Sequence, residues 1–266
     1  MVVNTEVREL TGVEELLAAT DLITEVWQAE IPPVPFPFMR ALSQAGAQVL
    51  GGLVDGRLAG VAVGFLGSDP DGPLLHSHVV GVGKEWRSTG VGRAIKLGQR
   101  EWCLERGVKR MAWTFDPLRT ANASFNLAGL GATGVSYHAE FYGQMNDAFN
   151  RGIPTDRVLV HWDLAAAEPS RSPAPARCDS PLLDIGETGG PVRRAVDPRP
   201  GEEVRLRVPA LLPDDVSLVL DWRLALREAM RPLLRSGYRW TGADRNGTYV
   251  LTTPLDPKIP TSPRNR

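Results

Sequence analysis

Hydrophobic positions along this chain fall into short runs whose spacing switches between the two-residue repeat of strands and the 3.6-residue repeat of helices. Thr5 to Leu10 reads as a first strand, and Val13 through Trp27 as a helix. Ile31 to Phe38 holds four prolines and is not expected to form regular helix, because proline lacks a donor and disfavours helix in the residue before it. Gln48 to Leu53 and Arg57 to Leu66 pair as a hairpin across Asp55-Gly56, a strong turn signal. Leu74 to Val82 is short, apolar and rich in β-branched residues, and follows the turn Asp71-Gly72-Pro73. Val91, Ile95 and Trp102 then recur at helical spacing until Gly107, a C-terminal cap. Val108 to Phe115 reads as the next strand, a short helix opens at Asn122 and ends at Leu130-Gly131, and Val135 to Tyr142 and Arg157 to Trp162 read as two further strands.

From residue 165 to 200 the pattern changes. Seven prolines among small residues mark a linker that becomes ordered near Leu182. Glu203 to Val208 alternates as a strand, and Asp214 and Asp215 can cap a helix with the apolar stripe Val219, Trp222, Leu226, Ala229, Met230 and Leu233. Tyr238 to Thr241 and Thr248 to Thr252 form a last hairpin across Asn246-Gly247. The domain reading is 1–164, a linker over 165–200, a small C-terminal α/β unit over 201–253, and a disordered tail over 254–266. The small unit is either a degenerate half-repeat or an extension completing the first sheet, and its size requires support from the first domain or a second subunit.

The stretch Arg87-Ser88-Thr89-Gly90-Val91-Gly92 joins a strand to a helix. Two glycines there let backbone N–H groups surround an anion, and the helix dipole adds partial positive charge, which suits a pyrophosphate. An ordinary strand-to-helix turn would also explain two glycines. Context decides: Val82-Gly83-Lys84-Glu85-Trp86-Arg87-Ser88-Thr89-Gly90-Val91-Gly92 resembles the coenzyme A-binding core motif of the GNAT acetyltransferase superfamily, with Lys84 where that family usually has proline. The resemblance covers residues 1 to 164, and its specific motifs lie between 74 and 131.

The resemblance implies an α/β (α+β) fold, a mixed and mostly antiparallel central sheet flanked by helices. It implies transfer of an acetyl, succinyl or other short acyl group from coenzyme A to an amine, with acetyl-CoA or another acyl-CoA as co-substrate and no metal. Backbone at Val80, Gly81 and Val82 would pair with the pantetheine arm. Arg87, Ser88, Thr89, Gly90, Val91, Gly92 and Arg93 would hold the pyrophosphate, and Asn122 matches the family's asparagine near the pantetheine. The proline-rich loop falls where the family tends to border its acceptor site; a rigid surface loop explains it equally well.

Acyl transfer to an amine needs a proton removed from the amine and a leaving thiolate stabilised. His78 is the first choice of base: strand alternation puts His76, His78, Val80 and Val82 on one face, and the family often carries a glutamate at the His78 position. Imidazole titrates near neutral pH, which suits that task, although a structural histidine is the competing reading. Glu85 is the runner-up base. The family's thiolate-protonating tyrosine position is Leu127 here, so Tyr137, Tyr142 or water must supply that proton. His138 and His161 read as ordinary strand residues. Trp222, Arg223 and Arg227 could reach an acceptor carboxylate, or simply belong to a packing helix.

Composition narrows the partners. The 266 residues are 42% hydrophobic and 23% charged with a net charge of -1, an ordinary globular balance with no general drive toward nucleic acid or acidic membrane. No apolar run is long enough to span a bilayer, the start lacks a signal-peptide pattern, and Cys103 and Cys178 have no metal-ligand spacing. The expectation is a cytoplasmic enzyme acting on a small-molecule amine, with amino-acid-like acceptors preferred, since no charged tract suggests a protein tail; a homodimer is compatible. A non-catalytic acyl-CoA-binding module is the alternative.

Overall fold

A computed structural model describes residues 2–145, 152–166, 181–194, 198–199 and 201–253. The expected disordered tail, Cys178 and much of the expected linker lie outside the described residues. The fold is mixed α/β, with mostly antiparallel strands flanked by helices, and its contacts group into two compact units. The first runs to Trp113 and takes in Asp163–Ala165; the second takes Thr114–Met145, Gly152–Trp162 and the described residues from 166 onward.

The first unit contains β1 (Glu6–Glu9), α1 (Val13–Trp27), α2 (Phe36–Gln44), β2 (Gln48–Val54), β3 (Arg57–Asp69), β4 (Gly72–Val82), α3 (Val91–Glu105) and the start of β5 (Arg110–Phe115). Its strands lie in sequence order; β1 to β4 are antiparallel and β4 pairs parallel with β5. A parallel pair requires a crossover, which α3 supplies. The β2–β3 turn is tight because both Asp55 (φ +48°) and Gly56 (φ +75°) are left-handed. Helices α1 and α2 bury Leu16, Ile23 and Met39 with Val61, Val63 and Val79 in one core cluster. On α3, Ile95 lies so close to the sheet that a Cβ on Gly60 would come within 2.6 Å of it and 2.9 Å of the Gly81 carbonyl. The proline-rich segment holds a helix that the sequence reading missed: α2 begins at Phe36 with Pro35 as its cap and Pro37 in its first turn, where a missing N–H removes no helical bond.

A polar chain crosses the core beneath α3. Gln99 donates to Gln48, Ser77 donates to Gln99, and the Lys96 ammonium donates to Ser77 at 2.9 Å while resting 3.8 Å from the centre of the Trp113 ring. Complete burial pushes Lys96 down to about 7. Arg100 donates to the Leu164 carbonyl from the same helix. Cys103, also on α3, is buried and its thiol is pushed up to about 12 by desolvation.

The second unit contains α4 (Thr120–Ser124), which runs on as a π-turn over Phe125–Gly129, then β6 (Thr133–His138), β7 (Arg157–Asp163), β8 (Leu183–Ile185), β9 (Pro191–Arg193), β10 (Val204–Arg207), α5 (Val216–Arg235), β11 (Arg239–Ala243) and β12 (Thr248–Thr252). The strand order is β7-β6-β11-β12-β10-β8-β9, parallel at β8–β10 and antiparallel elsewhere. By these contacts the grouping changes at Trp113–Thr114. Four interactions explain why residues from 114 onward group with the C-terminal elements. Phe115 stacks on Trp240 at 5.5 Å, Arg223 forks onto Asp116 at 2.6 and 2.8 Å, the Tyr249 hydroxyl donates to the Pro117 carbonyl, and the Thr120 hydroxyl donates to the Ala210 carbonyl. Strand β11 meets β6 through Trp240 and Gly134, and Trp222, Trp240 and Tyr249 are fully buried. Burial works to raise the Asp116 pKa, but the Arg223 hydrogen bonds and charge overcome it and hold the carboxyl below its usual range.

Two stability outcomes follow. Removing one member of a buried ion pair leaves an uncompensated charge, so Asp116→Ala is expected to cost about 3–5 kcal/mol in denaturant unfolding. The pair's stabilisation is fully present above the ordinary carboxylate pKa and is lost as pH falls through the lower folded value. Lys96 shifts stability in the same direction, but over a more alkaline range and by relieving a penalty. Between its folded value of about 7 and an unfolded value of about 10.4, the unfolded chain binds the extra proton, so the Lys96 contribution to stability rises with pH. Lys96→Met is expected to raise the melting temperature most below pH of about 7 and progressively less toward alkaline pH; a pH-independent change would place that ammonium in water.

Candidate functional site

Strand β4 carries the densest set of candidate residues. Its register with β3 runs Gly60↔Val82, Val61↔Gly81, Ala62↔Val80 and Val63↔Val79, then jumps to Gly64↔Ser77, so His78 is the extra residue of a β-bulge. The bulge changes which way the strand faces. Ser77 reaches α3 through Gln99 and Lys96, whereas Val79 joins the α1 core and a Cβ on Gly81 would meet Trp27 of α1 at 3.0 Å. Val82 points back to α3, with its side chain 3.6 Å from where a Gly92 Cβ would lie. Continuous alternation would have put His76, His78, Val80 and Val82 on one face; the bulge instead leaves the two histidines opposite Val80 and Val82.

His76 and His78 form an aromatic cluster with Phe65 on β3. The ring centroids lie 5.1 Å apart for Phe65–His76, 6.1 Å for Phe65–His78 and 6.3 Å for His76–His78. His78 remains open on one side, yet the desolvation it does experience lowers its pKa. For His76, desolvation acts first, followed by repulsion from His78 and Lys96. Both imidazoles are therefore biased toward the neutral form.

The other edge of β4 has a second feature. The pairing with β5 is confined to Leu75↔Met111 and His76↔Ala112, while β4 continues to Val82. Gly83 N–H donates to the Ala59 carbonyl, so the alternation of an antiparallel ladder gives Gly81 and Val79 their hydrogen bonds to β3. The N–H and C=O groups of Val80 and Val82 point out of the opposite edge. Among the described residues no strand pairs with them there.

Beyond β4 the chain makes a 3-10 turn over Lys84–Trp86 and enters α3 through two left-handed residues, Ser88 at φ +64° and Gly90 at φ +100°. Gly90 caps α3, and the Thr89 hydroxyl donates to the Trp86 carbonyl at 2.6 Å, closing the turn. The N-terminal segment joins the rim, where Val3 N–H donates to the Thr89 carbonyl. Helical geometry leaves the first amides of α3, at Val91 and Gly92, without intrahelical acceptors. Gly92 leaves that opening unobstructed: an added Cβ would touch only Val82, at an ordinary contact distance. An outward-facing strand edge that leads into a glycine-lined helix start can take an extended amide-bearing ligand ending in phosphates, so these residues fit an acyl-CoA.

The remaining candidates scatter. The Glu85 carboxylate is exposed and ion-paired with Arg57 at 2.9 Å. Asn122 is an exposed residue inside α4, which begins at Thr120 and not at Asn122. Leu127 is core. Strand β6 ends at His138, so Tyr142 sits in the turn beyond it; its hydroxyl is 3.3 Å from the Thr114 hydroxyl, and the Arg157 guanidinium lies over its ring at 5.4 Å. Tyr137 is buried and donates to Asp156 at 2.7 Å, and burial pushes its pKa well above the usual phenol value. Arg223 and Arg227 hold the buried Asp116 and Asp156, and Trp222 is core, so packing accounts for all three. No local pattern signals the bulge at His78, Phe65 beside it, or the left-handed Ser88.

Comparison with known proteins gives a family to this geometry. Residues 13–130 match the profile of the acetyltransferase (GNAT) family. The match places an acetyltransferase (GNAT) domain in residues 13–130 of the chain. No curated protein matches the sequence. Similar solved structures include the ribosomal-protein-S18-alanine N-acetyltransferase of Escherichia coli, at 14% identity and TM-score 0.49, covering 62% of this chain and 96% of that one. An N-acetyltransferase from Staphylococcus aureus Mu50 matches at 14% identity and TM-score 0.48, covering 60% and 99%. A putative acetyltransferase from Salmonella typhimurium, solved with acetyl-CoA, matches at 17% identity and TM-score 0.47, covering 64% and 99%.

Gly92 gives the cleanest test of the loop. Any side chain at Gly90 is strained by its positive φ, which would confuse folding with binding. Gly92→Val is expected to unfold near the wild-type temperature yet lose coenzyme A affinity by roughly tenfold or more in calorimetric titration. Wild-type affinity in that variant would remove the helix start from the site.

Proposed function

We propose that the protein transfers an acetyl or other short acyl group from its coenzyme A thioester to the primary amine of a small molecule, with His78 as the general base. The observation that carries this reading is the bulge. It sets His78 apart from the hydrogen-bonded ladder, immediately before the strand edge on which Val80 and Val82 present free backbone groups. The thioester arm pairs with that edge, and the amides at the start of α3 receive the phosphates. A neutral imidazole then takes one proton from the incoming ammonium, the amine nitrogen bonds to the acyl carbon, and the C–S bond breaks as the nitrogen sheds its second proton to water. Partial desolvation favours the neutral form that this task requires.

The leaving thiolate needs a proton. Tyr137 is occupied with Asp156, which leaves Tyr142 or water to supply it. The balanced net charge supports a small acceptor over a charged protein tail. Leu127, standing where the family's tyrosine would be, favours the competing reading of an acyl-CoA sensor. Thiol release from acetyl-CoA or succinyl-CoA with a panel of amines separates the two, because a sensor binds coenzyme A without releasing thiol.

His78→Ala is expected to lower turnover by roughly 10²- to 10⁴-fold while leaving coenzyme A affinity nearly unchanged, since the backbone at Val80 and Val82 remains in place. The wild-type rate should fall as pH drops through the lowered imidazole pKa, and the variant should lose that acidic limb. A fully active variant with the limb intact would take His78 out of the chemistry.

A further inference from the structure

Helix α5 carries arginines at 223, 227, 231 and 235, four residues apart and therefore along one slowly drifting side of the helix. The first two are matched by buried acids. Arg223 grips Asp116 with two hydrogen bonds of 2.6 and 2.8 Å, and Arg227 grips Asp156 with two of 2.8 Å. The last two have no such acid. Among the described residues, Arg231 and Arg235 make no ion pair, and the Arg231 Nε is enclosed without a hydrogen-bond partner. A helix C-terminus favours a cation, which accounts for Arg235. It does not account for Arg231, one turn earlier and half-buried.

Both arginines line a cleft of about 520 Å³ beside β6. Its other polar walls are Ser136 and His138, whose side chains meet at 2.8 Å, and Phe141 closes one side. Glu140 is the single carboxylate in the lining, and it leans on Arg227 at 3.9 Å. Desolvation, and after it the Arg231 charge, lowers the His138 pKa, which favours the neutral imidazole beside the two arginines. The volume lies within the range of small-molecule sites. A planar guanidinium with a free edge matches the two oxygens of a carboxylate or phosphate.

We propose that this cleft binds a small anionic ligand through a carboxylate or phosphate group, with Arg231 and Arg235 supplying the charge and Ser136 a hydroxyl contact. The incoming anion takes the place that Asp116 and Asp156 occupy farther up the helix. Every lining residue belongs to the second unit, so the proposal goes beyond the acyl-transfer reading and does not depend on it.

Calorimetric titration of the full chain with inorganic phosphate and, separately, with succinate tests it, at low ionic strength where screening is weak. One probe or both should bind saturably below about 10 mM. Phosphate alone would mark a phosphate site, and succinate alone a carboxylate site. Arg231→Gln should weaken the binding about tenfold, and the double change Arg231→Gln/Arg235→Gln should abolish it, with circular dichroism unchanged. If the double variant fails to fold, Arg231→Lys keeps the charge but not the fork and should still weaken binding severalfold. Binding of neither probe, or equal binding by wild type and the folded variants, would overturn the proposal.

Discussion

The parallel pairing of β4 with β5 stops at His76 and Ala112, and the site follows from that stop. Had the ladder continued, the backbone groups of Val80 and Val82 would have been satisfied by protein. Instead β4 runs on with β3 on one side and a row of outward-facing donors and acceptors on the other. An unpaired edge ordinarily invites another strand. Here a ligand with its own amides can complete the ladder, and the same strand then delivers the chain into the Ser88–Gly92 turn and the start of α3.

The bulge at His78 serves the same arrangement. One extra residue rotates the strand, so that Ser77 and Val79 contribute to cores on opposite sides of the sheet. His78 is released from regular pairing and stands beside Phe65 and His76. A side chain held by rigid flanking strand is positioned with more precision than one on a loop, which suits the base role proposed for His78. The polar chain from Gln48 through Gln99 and Ser77 to Lys96 anchors the strand just before the bulge, at the expense of a buried amine near its titration point.

Elements governed by local rules were legible in the sequence. The Asp55-Gly56 hairpin, the β4 run, the glycine-capped α3 and the amphipathic α5 were each expected from turn chemistry and periodicity, and each appears. Features decided by distant contacts were not legible. The boundary at Trp113 depends on pairs such as Asp116–Arg223, separated by 107 residues, which no local pattern reports. Strands β8 and β9 stand within the proline-rich segment because neighbouring strands complete them. Helix α2 was hidden because proline at a helix start looks the same in sequence as proline that prevents a helix. The bulge escaped because an alternating pattern of residues looks the same whether or not one residue is unpaired. Of the candidate site, the glycine-containing loop was legible from its glycines and from a family resemblance, whereas the histidine cluster needed the register of β4 on β3.

Amide hydrogen exchange on β4, with and without coenzyme A, tests the central claim most directly. Gly81 and Val79 donate to β3 and should be protected in both states, whereas the Val80 and Val82 amides should exchange quickly in the free protein and slow markedly when coenzyme A is bound. Val80 and Val82 amides that stay fast with coenzyme A bound, or that are already protected without it, would contradict the account.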